Sequence, residues 1–436
     1  MKGHRVAIAT LGCKVNQFDS FDMVRQFQES HWEVVEFNQS ADIFIINSCT
    51  VTSRSDAETR RLARRAKRNN PSARVVVTGC YAQVSPDRLS GLAEIDQVLG
   101  NEEKNDIVGN LLHGNNKVTV LDTLPPETPI NLTTLTDHTR AFLNIQNGCE
   151  QGCSYCIVPQ ARGPYRSVTS KDAINAVQDL ENAGYKEIVL TGIHLGAYRD
   201  PSIDGYSLPD LLKDLALKTR IPRIRLGSIE PNEFTQGLFN AISSYDVICP
   251  HFHIPLQSGS DSILNKMGRS YNTRLYRSVI ERLHLAMPGA FIACDLISGF
   301  PGETDGDFRD TCSLINELPL ADIHVFPYSR RPGTKADLMP GHLNSSIITE
   351  RAAILRQKAC EKAESFRKQF TGEKLKVLGL RYEPSGIIKG LSRNYLQVAY
   401  KGCGELVNKE SEVVVANADS TTLEGFVVDR ESRLDR

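Results

Sequence analysis

The chain of 436 residues has almost no net charge: 51 Lys plus Arg stand against 52 Asp plus Glu. That balance excludes a nucleic-acid footprint spread over the whole surface, so any affinity for RNA must come from local basic patches. No apolar stretch approaches the roughly 18 residues needed to span a bilayer, and no membrane association is expected. The opening apolar run, Val6 to Leu11, is short and has no cleavage-like segment after it, so a secretory leader is not expected either. A disulfide framework is equally unsupported. Eleven cysteines, an odd number in a long chain, fit a reducing, cytoplasmic compartment and metal ligation. The length implies two to four domains, each able to bury its own core.

Six of the cysteines fall into patterns. Cys149, Cys153 and Cys156 form a C-x3-C-x2-C loop just after the strand-like run Ala141 to Ile145. Three thiolates can hold three irons of a [4Fe-4S] cluster and leave the fourth iron free for a small molecule. A closed zinc site wants four ligands, and no further Cys or His follows within the usual few residues. Zinc or an incidental cluster is the alternative reading. Cys13, Cys49 and Cys80 each follow a short β-branched run: Arg5 to Thr10, Asp42 to Ile46 and Ala73 to Val77. Such runs, spaced by helical segments, read as parallel strands of a doubly wound sheet, whose carboxyl ends form one crevice. Any one of these three cysteines could instead be an inert core residue; their shared position past a strand favours a common rim.

The motifs carry a resemblance. The C-x3-C-x2-C loop, with Tyr155 before its last Cys, resembles that of the radical S-adenosylmethionine (SAM) enzymes. Leu11-Gly-Cys-Lys-Val-Asn-Gln17, Asn47-Ser-Cys-Thr-Val51 and Thr78-Gly-Cys-Tyr-Ala-Gln83 resemble the bacterial methylthiotransferases, as do the stretches at 192–196, 228–231, 253–260 and 299–303. The Leu-Gly-Cys-Lys-Val-Asn form is similar to the branch that thiomethylates threonylcarbamoyladenosine beside the tRNA anticodon. The resemblance implies addition of a methylthio group at C2 of that nucleoside, with SAM as both methyl donor and radical source. It implies two [4Fe-4S] clusters, one on Cys149, Cys153 and Cys156 and an auxiliary one on Cys13, Cys49 and Cys80. The implied partners are tRNA, a reducing electron-donor protein and a sulfur source, for a cytoplasmic monomer. Rival readings are a branch using isopentenyladenosine tRNA or a ribosomal-protein Asp, and a cluster-bearing tRNA-binding regulator without catalysis. Reductive SAM cleavage separates an enzyme from the regulator.

Alternating signals predict strands at 5–10, 42–47 and 73–78 and helices at 18–29 and 54–69, an α/β domain over residues 1–114. Residues 115–139 lose periodicity and read as a linker. Six strand-like runs follow, at 141–146, 187–191, 223–227, 251–256, 291–297 and 322–328, with helices between. They predict an open (βα)6 partial barrel in a domain spanning 140–370 that ends on a helix near 346–370. Short alternating runs over 372–436 predict a small β-barrel, which by resemblance is a TRAM RNA-binding domain. The expected fold class is therefore α/β with this three-part order.

In a barrel, groups that grip SAM must lie at strand carboxyl ends. The candidates are Gly192, Ser228, Glu230, Gln257, Ser258, Gly299 and Glu303, together with Tyr155. Glu230 could accept from ribose hydroxyls or simply form a salt bridge. For RNA, Arg60, Arg64 and Arg68 form one stripe of a predicted helix that also carries Arg61, Arg65 and Lys67. In the tail, Lys374, Lys376, Arg381, Lys389, Arg393 and Lys401 face only Glu383. Both patches read as phosphate contacts, or else as solvated faces. Cys249, Cys294, Cys312, Cys360 and Cys403 read as small buried residues. His194, His251, His253 and His324 read as hydrogen-bonding residues near strand ends.

Overall fold

The structure, a computed structural model, describes residues 4–121 and 139–428. Five parallel strands open it: β1 (Arg5–Thr10), β2 (Glu33–Val35), β3 (Ile43–Ser48), β4 (Arg74–Gly79) and β5 (Gln97–Val98), ordered β2-β1-β3-β4-β5. β3 is buried along its whole length, because its run of Ile and Phe is covered on both faces. Ile43 and Ile45 pack with Met23 and Phe27 of the Lys14–Glu29 helix on one side. Phe44 and Ile46 pack with Leu62 and Ala63 of the Ser53–Asn69 helix on the other. Burial of each large side chain stabilises by about 1.5–3 kcal/mol. The strand order reverses between β1 and β3, which opens a crevice at their carboxyl ends. Cys13 and Cys49 stand at that crevice.

The first helix begins four residues before the expected Phe18, with Cys13 as its extended N-cap. Residues 115–121 stay with the sheet rather than leaving it as a linker: Lys117 bridges to Leu99, and Asn116 Oδ1 accepts from the Val98 N–H at 2.8 Å. The Pro-rich part of the expected linker, 122–138, lies outside the described residues.

The second unit holds β6 (Arg140–Asn147), β7 (Arg166–Ser167), β8 (Glu187–Gly192), β9 (Arg223–Leu226), β10 (His251–His253), β11 (Phe291–Ser298) and β12 (Asp322–Pro327). Sheets β7-β6-β8-β9 and β10-β11-β12 are joined by bridges from Ile224 to Ile248 and from Ser228 to His253. The six strands other than β7 make the open barrel. Helices between them start at Thr169, Ser207, Thr235, Asn272 and Thr304, each capping a first turn. β10 is shorter than the expected 251–256, because Pro255 lacks an N–H for the ladder and Gln257 turns to a φ of 66°.

The Ser345–Lys368 helix leads to a closed barrel of β13 (Lys374–Glu383), β14 (Ile387–Ser392), β15 (Gln397–Lys401), β16 (Glu410–Ala418) and β17 (Leu423–Val427). Buried charge bolts it to the larger barrel. Arg223 donates to the Leu391 and Ser392 carbonyls at 2.9 and 2.7 Å, and Arg225 to the Arg393 carbonyl at 2.9 Å. Both arginines and Arg140 pair with Glu187 at 2.7–2.9 Å. Burial alone pushes the Glu187 carboxyl up; the hydrogen bonds of Arg225 and the charges of Arg140 and Arg223 overcome it and hold it at about 2. Among the described residues no helix is long and apolar enough to cross a membrane.

Candidate active site between two cysteine triads

Cys13 follows β1, Cys49 follows β3 and Cys80 follows β4, and the backbone lets them close on one another. Gly12 has a φ of +96°, and a Cβ there would lie 2.8 Å from the Cys49 Sγ. Gly79 has a φ of +93°, and its Cβ would meet the Ser48 carbonyl oxygen at 2.5 Å. Only glycine fits both requirements. Burial pushes the Cys49 thiol up to about 11, with the neighbouring Cys80 and Cys13 adding to the rise. A thiol in that setting needs a countercharge to ionise, which a metal cluster supplies. One is also built in: the buried Arg162 hydrogen-bonds Cys80, and it contacts Asn16 and pairs with Asp19 at 3.0 Å. Lys104 holds the same Asp19 at 2.7 Å.

The second triad lies on the loop between β6 and the Val158–Arg162 helix. Cys149, Cys153 and Cys156 are all half-buried. Burial pushes the Cys156 thiol up to about 12 and raises Cys153 as well. Arg269 donates to the Cys153 Sγ at 3.0 Å, and His194 Nδ1 lies 3.9 Å from the Cys149 Sγ. His194 also pairs with Glu233 at 2.6 Å. Although burial opposes the charged ring, the hydrogen bonds to Cys149 and Glu233 raise it to about 10. The donor set, three thiols with cationic neighbours, fits an iron–sulfur cluster with one open iron. Arg162 sits on the helix directly after this loop and reaches the other triad, so the two cysteine sets are coupled through one side chain.

A cavity of about 170 Å³ touches both loops. Val51 and Thr52, next to Cys49, form one wall; Tyr155 and Cys156 form another; Gln257 and Asp295 close it from the barrel. Asp295 anchors a chain of polar contacts in which Ser228 Oγ meets His253 Nδ1 at 2.6 Å, His253 Nε2 meets Asp295 at 3.0 Å and His324 Nδ1 meets Asp295 at 3.3 Å. Despite burial, the hydrogen bonds from both histidines hold the Asp295 carboxyl at about 2. A second bolt fixes the first domain over the barrel: Arg331, just after β12, pairs with Asp56 at 2.6 Å.

The other expected residues divide. Gly192, Ser228, Gln257 and Gly299 lie at or just past strand carboxyl ends, and the buried Ser258 adjoins Gln257. Glu230 is engaged in an ion pair with Arg269, the plainer of its two readings. Glu303 accepts from the Gly299 N–H at 2.9 Å and pairs with the buried Arg351 at 2.6 Å. Both carboxylates therefore hold loops rather than reach into open space. Cys249 and Cys294 are buried as expected and Cys312 is half-buried; Cys360 and Cys403, by contrast, are exposed. Cys360 sits on the outer face of the long helix and Cys403 in a turn after β15, both turned to solvent.

The basic patches are partly spent on the fold. Arg60 donates to the Tyr81 hydroxyl at 3.1 Å, and Arg64 pairs with Glu94 at 3.3 Å, while Arg68 is exposed. In the tail, Lys374, Lys376, Arg381 and Lys401 are exposed, and Lys389 pairs with Glu383 at 2.8 Å. Arg393 departs from the expectation of an RNA contact: it contacts the Asp246 carbonyl and pairs with Glu410 at 3.4 Å, inside the junction between barrels. Sequence reasoning missed Arg162 and Arg269, which stand far from the triads they serve or outside any motif. Asn16 and Lys14 were inside a quoted motif, but nothing in the chain alone says where their side chains go.

A model described as Uncharacterized protein family UPF0004 matches residues 5–100, and the Radical SAM superfamily matches residues 143–315. The Threonylcarbamoyladenosine tRNA methylthiotransferase MtaB of Bacillus subtilis is 36% identical over 97% of this chain and 96% of its own length. A tRNA-2-methylthio-N(6)-dimethylallyladenosine synthase of a Marinomonas species is 30% identical over 98% of each. Among solved structures, the radical S-adenosylmethionine methyltransferase TsrM of Kitasatospora setae shares the fold at a TM-score of 0.55 and 14% identity, covering 89% of this chain and 81% of that one. With one cavity between the loops that carry Cys49 and Cys156 and kinship along nearly its full length, the chain belongs to the radical SAM tRNA methylthiotransferase family of enzymes.

Proposed function

We propose that this enzyme adds a methylthio group to C2 of N6-threonylcarbamoyladenosine beside the tRNA anticodon. The higher identity to relatives named for the threonylcarbamoyl substrate than to those named for the dimethylallyl one carries the choice of substrate. In this reading Cys149, Cys153 and Cys156 hold the radical SAM cluster, and Cys13, Cys49 and Cys80 hold a second [4Fe-4S] cluster. When bound, the first supplies the electron that cleaves SAM and the second supplies sulfur. The chain's own residues prepare both sites. Arg269 beside Cys153 and Arg162 beside Cys80 offset the cost of burying thiolates. Gly192, Ser228, Gln257, Ser258 and Gly299 supply the strand-end surface for SAM, with Tyr155 on the cavity wall. Glu230 and Glu303 stiffen that surface through Arg269 and Arg351. The closed C-terminal barrel acts as a TRAM domain that delivers tRNA, and the enzyme works in the cytoplasm with a reducing electron-donor protein and a sulfur source.

Mass spectrometry of tRNA nucleosides from a deletion strain tests the substrate. Loss of the methylthio form of threonylcarbamoyladenosine, restored by the gene, is expected. Intact methylthio-threonylcarbamoyladenosine with loss of the isopentenyl counterpart contradicts the assignment.

A further inference from the structure

One tyrosine ring of the small barrel is approached by cations from both other domains. Tyr395, held at a φ of 68° in the turn between β14 and β15, has Arg225 at 4.9 Å, Arg140 at 5.8 Å and Lys14 Nζ at 6.0 Å from its ring centre. Arg225 and Arg140 have a carboxylate, Glu187. Lys14 does not. Among the described residues its Nζ has no carboxylate within 4.0 Å and no hydrogen bond, although the residue is half-buried. Glu187 is already shared by three guanidiniums, so it leaves a local excess of positive charge. The aromatic face softens that repulsion only in part. A half-buried ammonium beside two like charges is costly unless an anion arrives to pair with it.

Lys14 is also the residue directly after Cys13, so its backbone is fixed beside one cysteine triad. The nucleoside reading proposed above puts the reacting base near that triad. The threonylcarbamoyl arm ends in a carboxylate; the dimethylallyl arm is neutral and apolar. We propose that Lys14, backed by Arg140, receives the carboxylate of the threonylcarbamoyl arm and thereby selects the anionic nucleoside over neutral ones. The inference rests on the substrate reading above. It makes Lys14 a specificity residue, acting by a charge-assisted hydrogen bond in a setting already short of negative charge.

Three anticodon stem-loop RNAs test it: one with threonylcarbamoyladenosine, one with its methyl ester and one with dimethylallyladenosine. Their dissociation constants are measured by fluorescence anisotropy on reconstituted protein. The wild-type chain should bind the acid at least about tenfold tighter than the ester. In K14M that ratio should fall to near one, and in K14R most of it should remain, with iron content unchanged in both. Equal affinity of the wild-type chain for acid and ester overturns the assignment without any variant. An unchanged ratio in K14M overturns it too, and equal weakening of all three RNAs shows that Lys14 meets a phosphate instead. Product analysis separates the two layers. A wild-type enzyme that methylthiolates the threonylcarbamoyl RNA while failing the ratio test refutes Lys14 alone; one that converts only the dimethylallyl RNA refutes the substrate reading beneath it.

Discussion

One cysteine triad is assembled by tertiary structure and the other by a single loop. Cys13, Cys49 and Cys80 come from three strand ends of a sheet and meet only when that sheet is formed, whereas Cys149, Cys153 and Cys156 lie within one short loop of chain. The first is therefore hostage to the packing of β1, β3 and β4 and to two glycines. The second depends on local geometry, plus Arg269 arriving from the far side of the barrel. Sequence spacing announces a local site directly; it reveals a dispersed one only through the repeated position of each cysteine after a strand.

The largest effect should come from removing the local triad. The C149A/C153A/C156A variant is expected to lose SAM cleavage and methylthiolation together, and to keep about half of the roughly eight irons of two [4Fe-4S] clusters. Loss of all iron from a folded protein would show that the sites are not independent. Next, Gly79→Ala should empty the dispersed site selectively. Its φ and the clash with the Ser48 carbonyl cost about 1–3 kcal/mol of strain, so iron should again fall by about half while SAM cleavage persists. Retention of full iron content by that variant breaks the contrast.

Much of this was legible in the chain. The β-branched runs gave all six barrel strands and three of the five strands in the first sheet, because buried parallel strands need little but apolar residues. β2 and β5 escaped notice, being edge strands of three and two residues. The six cysteines were legible by spacing and position. Arg162, Arg269 and Arg393 were not, since a guanidinium's partner is chosen by the fold: Arg393 sits in a basic stretch yet serves the barrel junction.

That junction supplies a smaller, pH-dependent test. Glu187 is held at about 2, against an ordinary value of 4.5. Its contribution is fully present above about pH 4.5 and is lost as pH falls toward 2, because the unfolded chain binds the proton more readily. Glu187→Gln should lower thermal stability near neutral pH, by about 3–5 kcal/mol for a broken buried pair, and flatten the acid limb of the stability profile. An unchanged acid limb removes Glu187 from the account. The smallest effect belongs to the exposed tail. Neutralising Lys374, Lys376, Arg381 and Lys401 should weaken tRNA binding at every sequence alike and flatten its salt dependence by about 0.7–0.9 log units for each phosphate no longer neutralised. An unchanged salt slope moves the RNA anchor to the helix bearing Arg68.

The central claim is that the two triads divide the labour, and one preparation of C13A/C49A/C80A tests it most directly. Assayed with SAM, a reductant and threonylcarbamoyladenosine tRNA, it should release 5′-deoxyadenosine while forming no methylthio product. Equal loss of 5′-deoxyadenosine and product, in protein that still carries its other cluster, contradicts the division.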